Sequence, residues 1–327
     1  MKKLLVTIAD KNYLNISRQL FASILANKTW IDDFMLITTN DVEDKDLKWF
    51  FDNNIIVQKY SYYFSSNEWY SSLPKGVLNP IVCSKIYLFN SEFKEWDKIL
   101  YLDSDIIVRY PLTDIKKIKT FGAVRNANNP FLHKLFAYQN NSNKKLFDDL
   151  KTEYNLFSHA FNAGVFCFDT SIINQDLKLQ FNELFHKYSK ISIYSEQSIL
   201  NLLLNKKWEC LPNYFNYDVN RNMIHHKINP KRIVAKVIHF NGPIKPWNEN
   251  SYFFNEWSGK KDSNELINDN NHQMNSLLFI KNLIFFKIYC FIKKIASLRV
   301  KFFVRQIIIN YYPKLYIYLK KWPISKN

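Results

Sequence analysis

The 327-residue chain is poor in cysteine, and the spacing of its four cysteines excludes two common uses of them. No pair has the spacing of a zinc-ligand or redox motif, so neither a cysteine metal site nor a redox pair is expected. We predict reduced, mostly buried thiols, at Cys83, Cys167, Cys210 and Cys290.

Long apolar runs are also missing. No uncharged apolar stretch approaches the roughly 20 residues that a helix needs to cross a bilayer, so we expect no transmembrane helix. The chain starts Met1-Lys2-Lys3 and enters an apolar stretch, but Asp10 and Lys11 interrupt it and no small-residue cleavage site follows. We therefore interpret this beginning as a first strand and not as a secretion signal.

Acidic residues are absent from the C-terminal part of the chain, where Asp269 is the last one. Eleven Lys and Arg residues between Leu277 and Asn327 account for most of the net charge of +16 and leave about +5 for the rest. At about 100° per residue, four of them share one side of a helix and a row of apolar residues lies beside them: Lys287, Lys294, Lys301 and Arg305, next to Ile284, Ile288, Phe291, Ile295 and Phe302.

Such a basic, aromatic helical tail suits an anionic membrane surface. A docked C-terminal helix with a solvated basic face is the alternative. No recognised nucleic-acid-binding fold accompanies the basic segment, so no nucleic-acid partner is expected.

The first sixty residues alternate between strand and helix patterns. Strands over Leu4–Ala9, Phe34–Thr38 and Ile55–Val57 are separated by helices over 14–27 and 43–53, which indicates a mostly parallel sheet flanked by helices. Further along, we predict helices over 80–89, 175–188 and 195–204, strands over 98–108, 122–124, 161–169 and 234–240, and irregular segments over 61–78 and 126–149.

Two aspartates interrupt the apolar run Lys98–Val108. In an extended chain residues i and i+2 face the same side, so Asp103 and Asp105 point together and repel unless a cation lies between them. Their hard oxygen ligands suit magnesium or manganese. Both could instead be solvated in a loop, but a strand this apolar normally lies inside a sheet, where ligands bind at the carboxyl ends of strands.

Other polar residues follow predicted strands. His239 ends the last strand, and two carboxylates with one imidazole leave about three positions on an octahedral ion for phosphate oxygens. Imidazole favours manganese, although a single histidine is more often structural. Lys245 could neutralise a phosphate, and Asn12 and Tyr13, after the first strand, could hold a base. Together these groups indicate a nucleotide-diphosphate ligand.

At these positions the sequence resembles glycosyltransferase family 8, which includes glycogenin and bacterial lipopolysaccharide α-galactosyl- and α-glucosyltransferases. The resemblance covers roughly residues 1–250. Five motifs carry it in order: Ala9–Tyr13, Lys98–Val108, Phe161–Val165, Glu196–Asn201 and His239-x-x-Gly-Pro-x-Lys-Pro-Trp.

The resemblance implies an α/β catalytic domain of the GT-A (Rossmann-like nucleotide-diphospho-sugar transferase) fold over 1–255, followed by a linker (256–276) and the basic tail (277–327). It implies a retaining hexosyltransferase that uses Mn²⁺, with Mg²⁺ as an alternative. The donor is UDP-glucose or UDP-galactose, and the acceptor is a glycolipid or an oligosaccharide of bacterial lipopolysaccharide, lipooligosaccharide or another surface polysaccharide. The expected location is cytoplasmic, peripheral on the inner face of the cytoplasmic membrane.

The resemblance also implies roles, carried over by position. Asp103, Asp105 and His239 bind the metal. Asp10, Asn12 and Tyr13 contact uracil or ribose, Lys85 the donor sugar and Lys245 the diphosphate; Asn162, Gly164, Glu196 and Gln197 line the sugar pocket. Ala9, Ser104, Ala163 and Gly242 complete the donor-binding set.

Two positions depart from the family pattern, which often has Arg at position 85 and Asp at position 198. Gln197 is expected near the reacting carbon, and an amide is a poor nucleophile. This favours substitution on the face from which the leaving group departs, while Glu196 remains open as a nucleophile.

Two other functions compete with this interpretation. A haloacid-dehalogenase-like phosphatase would use Asp103 as nucleophile, but it usually has Thr or Val where Ile107 stands, and its motif lies near the N-terminus. A catalytically inactive, membrane-associated sugar-binding protein would not need the acidic pair with His239 and Lys245.

Overall fold

The computed structural model describes residues 1–65, 79–113, 117–137, 141–219, 233–242, 245–249 and 251–259. The predicted tail, nearly all of the linker and most of the segment 61–78 lie outside these residues. The described residues belong to one compact unit, Met1–Leu266. Within the described part of the chain, no helix combines the length and apolar character needed to cross a bilayer.

A seven-stranded sheet forms the centre of the fold, in the order β3-β2-β1-β4-β7-β6-β8. The strands are β1 (Lys3–Ile8), β2 (Asp33–Thr39), β3 (Ile56–Tyr60), β4 (Lys98–Leu102), β6 (Phe121–Arg125), β7 (Phe161–Asp169) and β8 (Trp208–Leu211). Strand β7 runs antiparallel to both of its neighbours, whereas the other pairings are parallel. The predicted β-α-β-α-β beginning and mostly parallel sheet are confirmed.

Helices cover both faces of this sheet. They are α1 (Leu14–Ala26), α2 (Asp44–Asp52), α3 (Asn141–Glu153), α4 (Gln175–Tyr188) and α5 (Glu196–Leu203), with the short α6 (Phe254–Trp257) near the end of the described chain. Side-chain hydrogen bonds and charges stabilise the first turns of two of these helices. At the start of α4 the Asn174 side chain accepts a hydrogen bond from the N–H of Leu177. Asp44 and Asp46 lie in the first turn of α2, where the helix dipole favours negative charge.

The core lies on both faces of the sheet because its central strands are apolar at successive positions. All six residues of β1 are buried, as expected for a strand covered on both sides. Leu4 and Val6 pack in an aromatic-rich layer with Tyr101 and Phe166, beneath α4 and α5. Leu5 faces the opposite layer, beneath α1 and α2. Alternate residues of one strand thus hold the two helical layers to the sheet.

The apolar run Lys98–Val108 is two strands and not one. Strand β4 stops at Leu102, and β5 (Ile106–Val108) belongs to a second, three-stranded sheet with β10 (Val237–His239) and β9 (Tyr217–Asp218). The prediction of one continuous strand was wrong because the strand changes hydrogen-bonding partners at the two aspartates. Asp103 and Asp105 therefore lie in the crossing between the two sheets.

Three further local predictions need correction. Segment 80–89 is a 3₁₀ helix opened by the Asn79 side chain, which accepts from the N–H of Ile81. Helix α3 begins at Asn141, inside the segment predicted as irregular, and continues to Glu153; few apolar residues there gave no helical period. Strands β8 and β9 were missed, since runs of four and two residues carry little pattern.

A buried ion pair holds the last described segment to the second sheet. Arg109, directly after β5, donates from Nε and Nη2 to the two carboxylate oxygens of Glu256, each at 2.6 Å. Its Nη1 donates to the carbonyl of Ile233 at 2.8 Å. Both charged side chains are less than one-tenth exposed. A two-point Arg–carboxylate pair of this kind fixes both partners.

Replacing Glu256 with Ala should therefore destabilise the fold. The variant buries the Arg109 guanidinium without its carboxylate, so we expect urea denaturation to show a loss of about 3 kcal/mol. Glu249→Ala, at an exposed position, is the control and should change stability by less than about 0.5 kcal/mol. Equal stability of the two variants would contradict the importance of the pair.

Candidate active site

The register of the second sheet brings His239 to Asp105. In the antiparallel pair of β10 and β5, His239 lies opposite Ile106, the residue after Asp105. The N–H of Phe240 also donates to the carbonyl of Asp105 at 3.0 Å. An imidazole 134 positions along the chain from the acidic residue is thereby fixed beside it.

The register of the main sheet brings Gly164 to Asp103. Leu102 pairs with Val165 at the end of β4, and the N–H of Asp103 donates to the carbonyl of Gly164 at 2.8 Å. A Cβ on Gly164 would lie 2.2 Å from Cε1 of His239 and 2.6 Å from Oδ2 of Asp103. Only glycine permits this close approach of the backbone.

The three predicted metal ligands converge. Nε2 of His239 lies 3.3 Å from Oδ1 of Asp105 and 3.6 Å from Oδ2 of Asp103. One ligand atom from each residue lies within 4.8 Å of the other two. Ligands at about 2.1 Å from one ion would be separated by distances up to about 4.2 Å. The cluster therefore fits one divalent cation after small side-chain shifts.

The charges around the cluster also favour a cation. Burial alone would raise the pKa of Asp105, but the nearby His239 and Lys245 outweigh burial and hold this pKa below its ordinary value. Burial alone would lower the pKa of His239, and the neighbouring carboxylates Asp105 and Asp103 raise it instead. Both shifts reflect the mutual attraction between the carboxylates and the basic groups beside them.

Two lysines flank the cluster. Nζ of Lys245 donates to Oδ2 of Asp105 and to the carbonyl of Phe240, each at 2.5 Å. Lys85 is buried, and its Nζ lies 3.2 Å from Oδ1 of Asp103 and 2.9 Å from Oε1 of Glu196. Burial lowers the pKa of Lys85, but these two carboxylates outweigh burial and raise it, so the side chain remains an ammonium ion.

These groups give a simple charge balance. Asp103, Asp105 and Glu196 bring three negative charges, and Lys85 with Lys245 brings two positive ones. A divalent cation with neutral His239 would give the set a net charge of +1. That sign suits a diphosphate ligand.

At one end of the site, the predicted nucleotide residues form a capped turn. Oδ1 of Asp10 accepts from the N–H groups of Asn12 and Tyr13 at 3.1 and 3.2 Å, and Asn79 donates to Oδ2 at 2.5 Å. Tyr13 is 40% exposed and meets Trp247 edge-on, with ring centroids 6.5 Å apart. An exposed aromatic ring of this kind can stack on a flat ring of a ligand.

At the other end lies the predicted sugar pocket. Oε1 of Gln197 accepts from the N–H of Ala163 at 3.0 Å and from Nδ2 of Asn162 at 3.2 Å. Oε2 of Glu196 is buried and has no hydrogen-bond partner among the described residues. Before it, Ser195 has a φ of 47°, a strained value for a residue with a Cβ. The unpaired Oε2 of Glu196 can accept a hydrogen bond from a ligand hydroxyl.

Three predicted donor positions have different surroundings. Ser104 is buried, and its hydroxyl hydrogen-bonds Thr7 and Ser17, so only its backbone remains to contact a donor sugar nucleotide. Ala9 is also buried, with its N–H and its carbonyl both hydrogen-bonded inside the protein. Gly242 adjoins residues 243–244, which lie outside the described part.

Sequence reasoning missed three residues near the site. Oδ1 of Asn216 lies 3.0 Å from Nδ1 of His239, Asn79 holds Asp10, and Asp218 pairs with His239 across β9 and β10. Burial raises the pKa of Asp218. Asn79, before the Pro80 that starts a helical pattern, carried a capping signal. Asn216 and Asp218 lie just before and within β9, a strand too short to predict.

Comparison with known proteins identifies the fold. Solved structures with the same fold include the galactosyltransferase LgtC in complex with donor and acceptor sugar analogues (TM-score 0.58, 20% identity, 79% of this chain and 95% of that chain). Another is apo GlyE of Streptococcus pneumoniae TIGR4 (TM-score 0.53, 18% identity, 82% of this chain and 63% of that chain). The protein thus has the GT-A fold of glycosyltransferases, as predicted.

The family follows from the sequence match. Residues 4–251 match the model of glycosyl transferase family 8, so the chain belongs to that family. Glycosyltransferase GlyF of S. pneumoniae serotype 4 is 27% identical over 169 residues, 49% of this chain and 36% of that protein. The match spans about a third of the length of that relative. Members of the family generally use a divalent metal and a nucleotide sugar, and the Asp103–Asp105–His239 cluster is a candidate metal site.

Adding one methyl group at Gly164 should disrupt the cluster. In Gly164→Ala the new Cβ displaces the imidazole of His239, so we expect Mn²⁺ to bind at least about tenfold more weakly in calorimetry. Gly259→Ala is the control: its added Cβ meets no atom within 4 Å, and the strain of Ala at a φ of 71° should leave the Mn²⁺ affinity unchanged. Wild-type Mn²⁺ affinity in Gly164→Ala would show that this close packing does not hold the ligands.

Proposed function

We propose that this chain is a metal-dependent, retaining hexosyltransferase that moves glucose or galactose from UDP to a glycan or glycolipid acceptor. The observation that carries the proposal is the convergence of Asp103, Asp105 and His239 at one edge of a GT-A sheet. Contacts connect Tyr13 to Asp105 through Trp247 and Lys245, and Glu196 to Asp103 through Lys85. A base at Tyr13, a metal at the cluster and a sugar at Glu196 would follow the order of parts in a UDP-sugar.

The cluster's residues have distinct tasks in this reaction. Asp103, Asp105 and His239 would hold Mn²⁺ or Mg²⁺, which as a Lewis acid would stabilise negative charge on the departing diphosphate. Lys245 lies beside Asp105 and would add a positive charge on the leaving side. Glu196 would accept a hydroxyl of the donor sugar at its unpaired oxygen, while Lys85 neutralises the other.

Retention of configuration needs either a protein nucleophile or attack by the acceptor on the face of the sugar from which UDP departs. Oε1 of Gln197 already accepts two hydrogen bonds, which lowers the electron density of an already weak nucleophile. Glu196 is bound to the ammonium of Lys85, which stabilises its negative charge and weakens it as a nucleophile too. These contacts support same-face substitution without a covalent intermediate.

The acceptor and the location extend the proposal. The basic tail over 277–327 would bind the anionic inner face of the cytoplasmic membrane, where a glycolipid acceptor would share the same surface. LgtC, whose fold this chain shares, is a galactosyltransferase. That likeness supports galactose or glucose transfer into a bacterial surface glycan such as lipooligosaccharide.

The competing functions explain fewer observations. A phosphatase with Asp103 as nucleophile would not need Gly164 packed against His239 and Asp103, and the fold and family are those of glycosyltransferases. An inactive sugar-binding protein would not need to keep three metal-ligand side chains in one cluster.

Release of UDP tests the proposal. Full-length protein with UDP-glucose or UDP-galactose should release UDP when Mn²⁺ is added and stop when it is chelated. Asp105→Asn removes one charged ligand, so its rate should fall about 100-fold or more. Asp41→Asn, at an exposed position, should keep the wild-type rate.

Several outcomes would contradict the proposal. Wild-type protein that neither binds UDP nor releases it from either sugar nucleotide would exclude the transferase. An unchanged rate in Asp105→Asn would exclude the metal assignment. Release of phosphate from an aryl phosphate would favour the phosphatase.

A further inference from the structure

We propose that Asn216 is a positioning residue with two tasks: it fixes the tautomer of His239 for metal binding and orients Asn162 and Gln197 beside the donor sugar. The inference rests on the proposed function for its second task. Asn216 is only 6% exposed and lies between the metal cluster and the sugar pocket. Its Oδ1 lies 3.0 Å from Nδ1 of His239, and its Nδ2 lies 2.9 Å from Oδ1 of Asn162.

Two backbone N–H groups identify which atom is the oxygen in each side-chain amide of this chain of hydrogen bonds. The N–H of Gly164 donates to Asn162 at 2.9 Å, and the N–H of Ala163 donates to Gln197 at 3.0 Å. A backbone N–H can only donate, so the atom that receives it must be the oxygen of each side-chain amide. The usual ambiguity between amide oxygen and nitrogen is thereby removed for Asn162 and Gln197.

The orientation of Asn216 follows from that of Asn162. Because Asn216 meets Asn162 at the oxygen that Gly164 also contacts, the atom of Asn216 at this contact must be the donor, Nδ2. Its oxygen then faces His239, so Nδ1 of the imidazole must carry a proton. In neutral His239 the lone pair is consequently on Nε2, the nitrogen that faces Asp103 and Asp105.

This is the tautomer that a metal ligand needs, and a hydrogen bond to the second ring nitrogen commonly fixes it. The backbone also holds Asn216 in place. It immediately precedes β9, whose Tyr217 pairs with Ile238 next to His239. The pairing of the two-residue strand β9 with β10 therefore sets the distance between the Asn216 amide and the His239 imidazole.

The two ends of the Asn216 amide can be tested separately. In Asn216→Asp a carboxylate oxygen still accepts from Nδ1–H of His239, but nothing donates to Asn162. We expect Mn²⁺ affinity to remain within about threefold of wild type or to increase, while UDP-sugar turnover falls at least tenfold. Asn216→Ala loses both contacts, so its Mn²⁺ dissociation constant should rise about 10- to 100-fold.

The measurements are Mn²⁺ titration by electron paramagnetic resonance and donor kinetics on the same preparations. Asn213→Ala, an exposed position in the same segment, is the control and should match wild type in both. If Asn216→Ala does not fold, Asn216→Asp decides alone: retained Mn²⁺ affinity with lost turnover supports the inference. Equal loss of both, or no loss of turnover, overturns it.

The remaining outcomes separate this inference from the proposed function. Wild-type Mn²⁺ affinity in Asn216→Ala, with loss of binding in Asp105→Asn, would overturn the positioning role and leave the transferase standing. Mn²⁺ binding by a wild type that transfers no sugar would exclude the transferase. The Mn²⁺ titrations of the two Asn216 variants would then still decide the first task of Asn216. A wild type that binds no Mn²⁺ would overturn both.

Discussion

Two carboxylates that are held together in a largely enclosed volume are the constraint on which the rest of this structure depends. Asp103 and Asp105 lie in the crossing between two sheets, where the strands on both sides fix their backbone positions. Such a pair is stable only with positive charge beside it. The protein surrounds it with His239, Lys85 and Lys245, and the remaining need for positive charge defines what the site binds.

The direction of β7 explains how so many groups reach this point. Strands β1 and β4 are parallel, so their carboxyl ends lie at one edge of the sheet. Strand β7 runs the opposite way and brings its amino end to that same edge. The N–H of Ala163 therefore meets the Gln197 side chain at the start of α5, and the carbonyl of Gly164 accepts from the N–H of Asp103, which follows β4. An all-parallel sheet would have placed this stretch of backbone at the far edge.

The sequence predicted the features that depend on local pattern. The β-α-β-α-β start is encoded in apolar periodicity, and the closeness of Asp103 and Asp105 follows from their separation by a single residue at the end of an apolar strand. Features decided by distant contacts could not be predicted. The split of Lys98–Val108 depends on which strands lie beside it, the inward turn of the Ser104 hydroxyl depends on Thr7 and Ser17, and Asn216 acquires its contacts only when β9 pairs with β10.

The candidate metal cluster is connected to the predicted sugar pocket by two independent routes. One is electrostatic: the ammonium of Lys85 lies between Asp103 and Glu196, above the ring of Tyr101 at 5.1 Å. A compact ammonium can divide its charge between two carboxylates in different directions, whereas a planar guanidinium favours one in-plane pair. The other route is the amide chain through Asn216. Because both routes are buried and hydrogen-bonded, charge and geometry are set before any ligand arrives, which is the condition for electrostatic preorganisation of a transferase site.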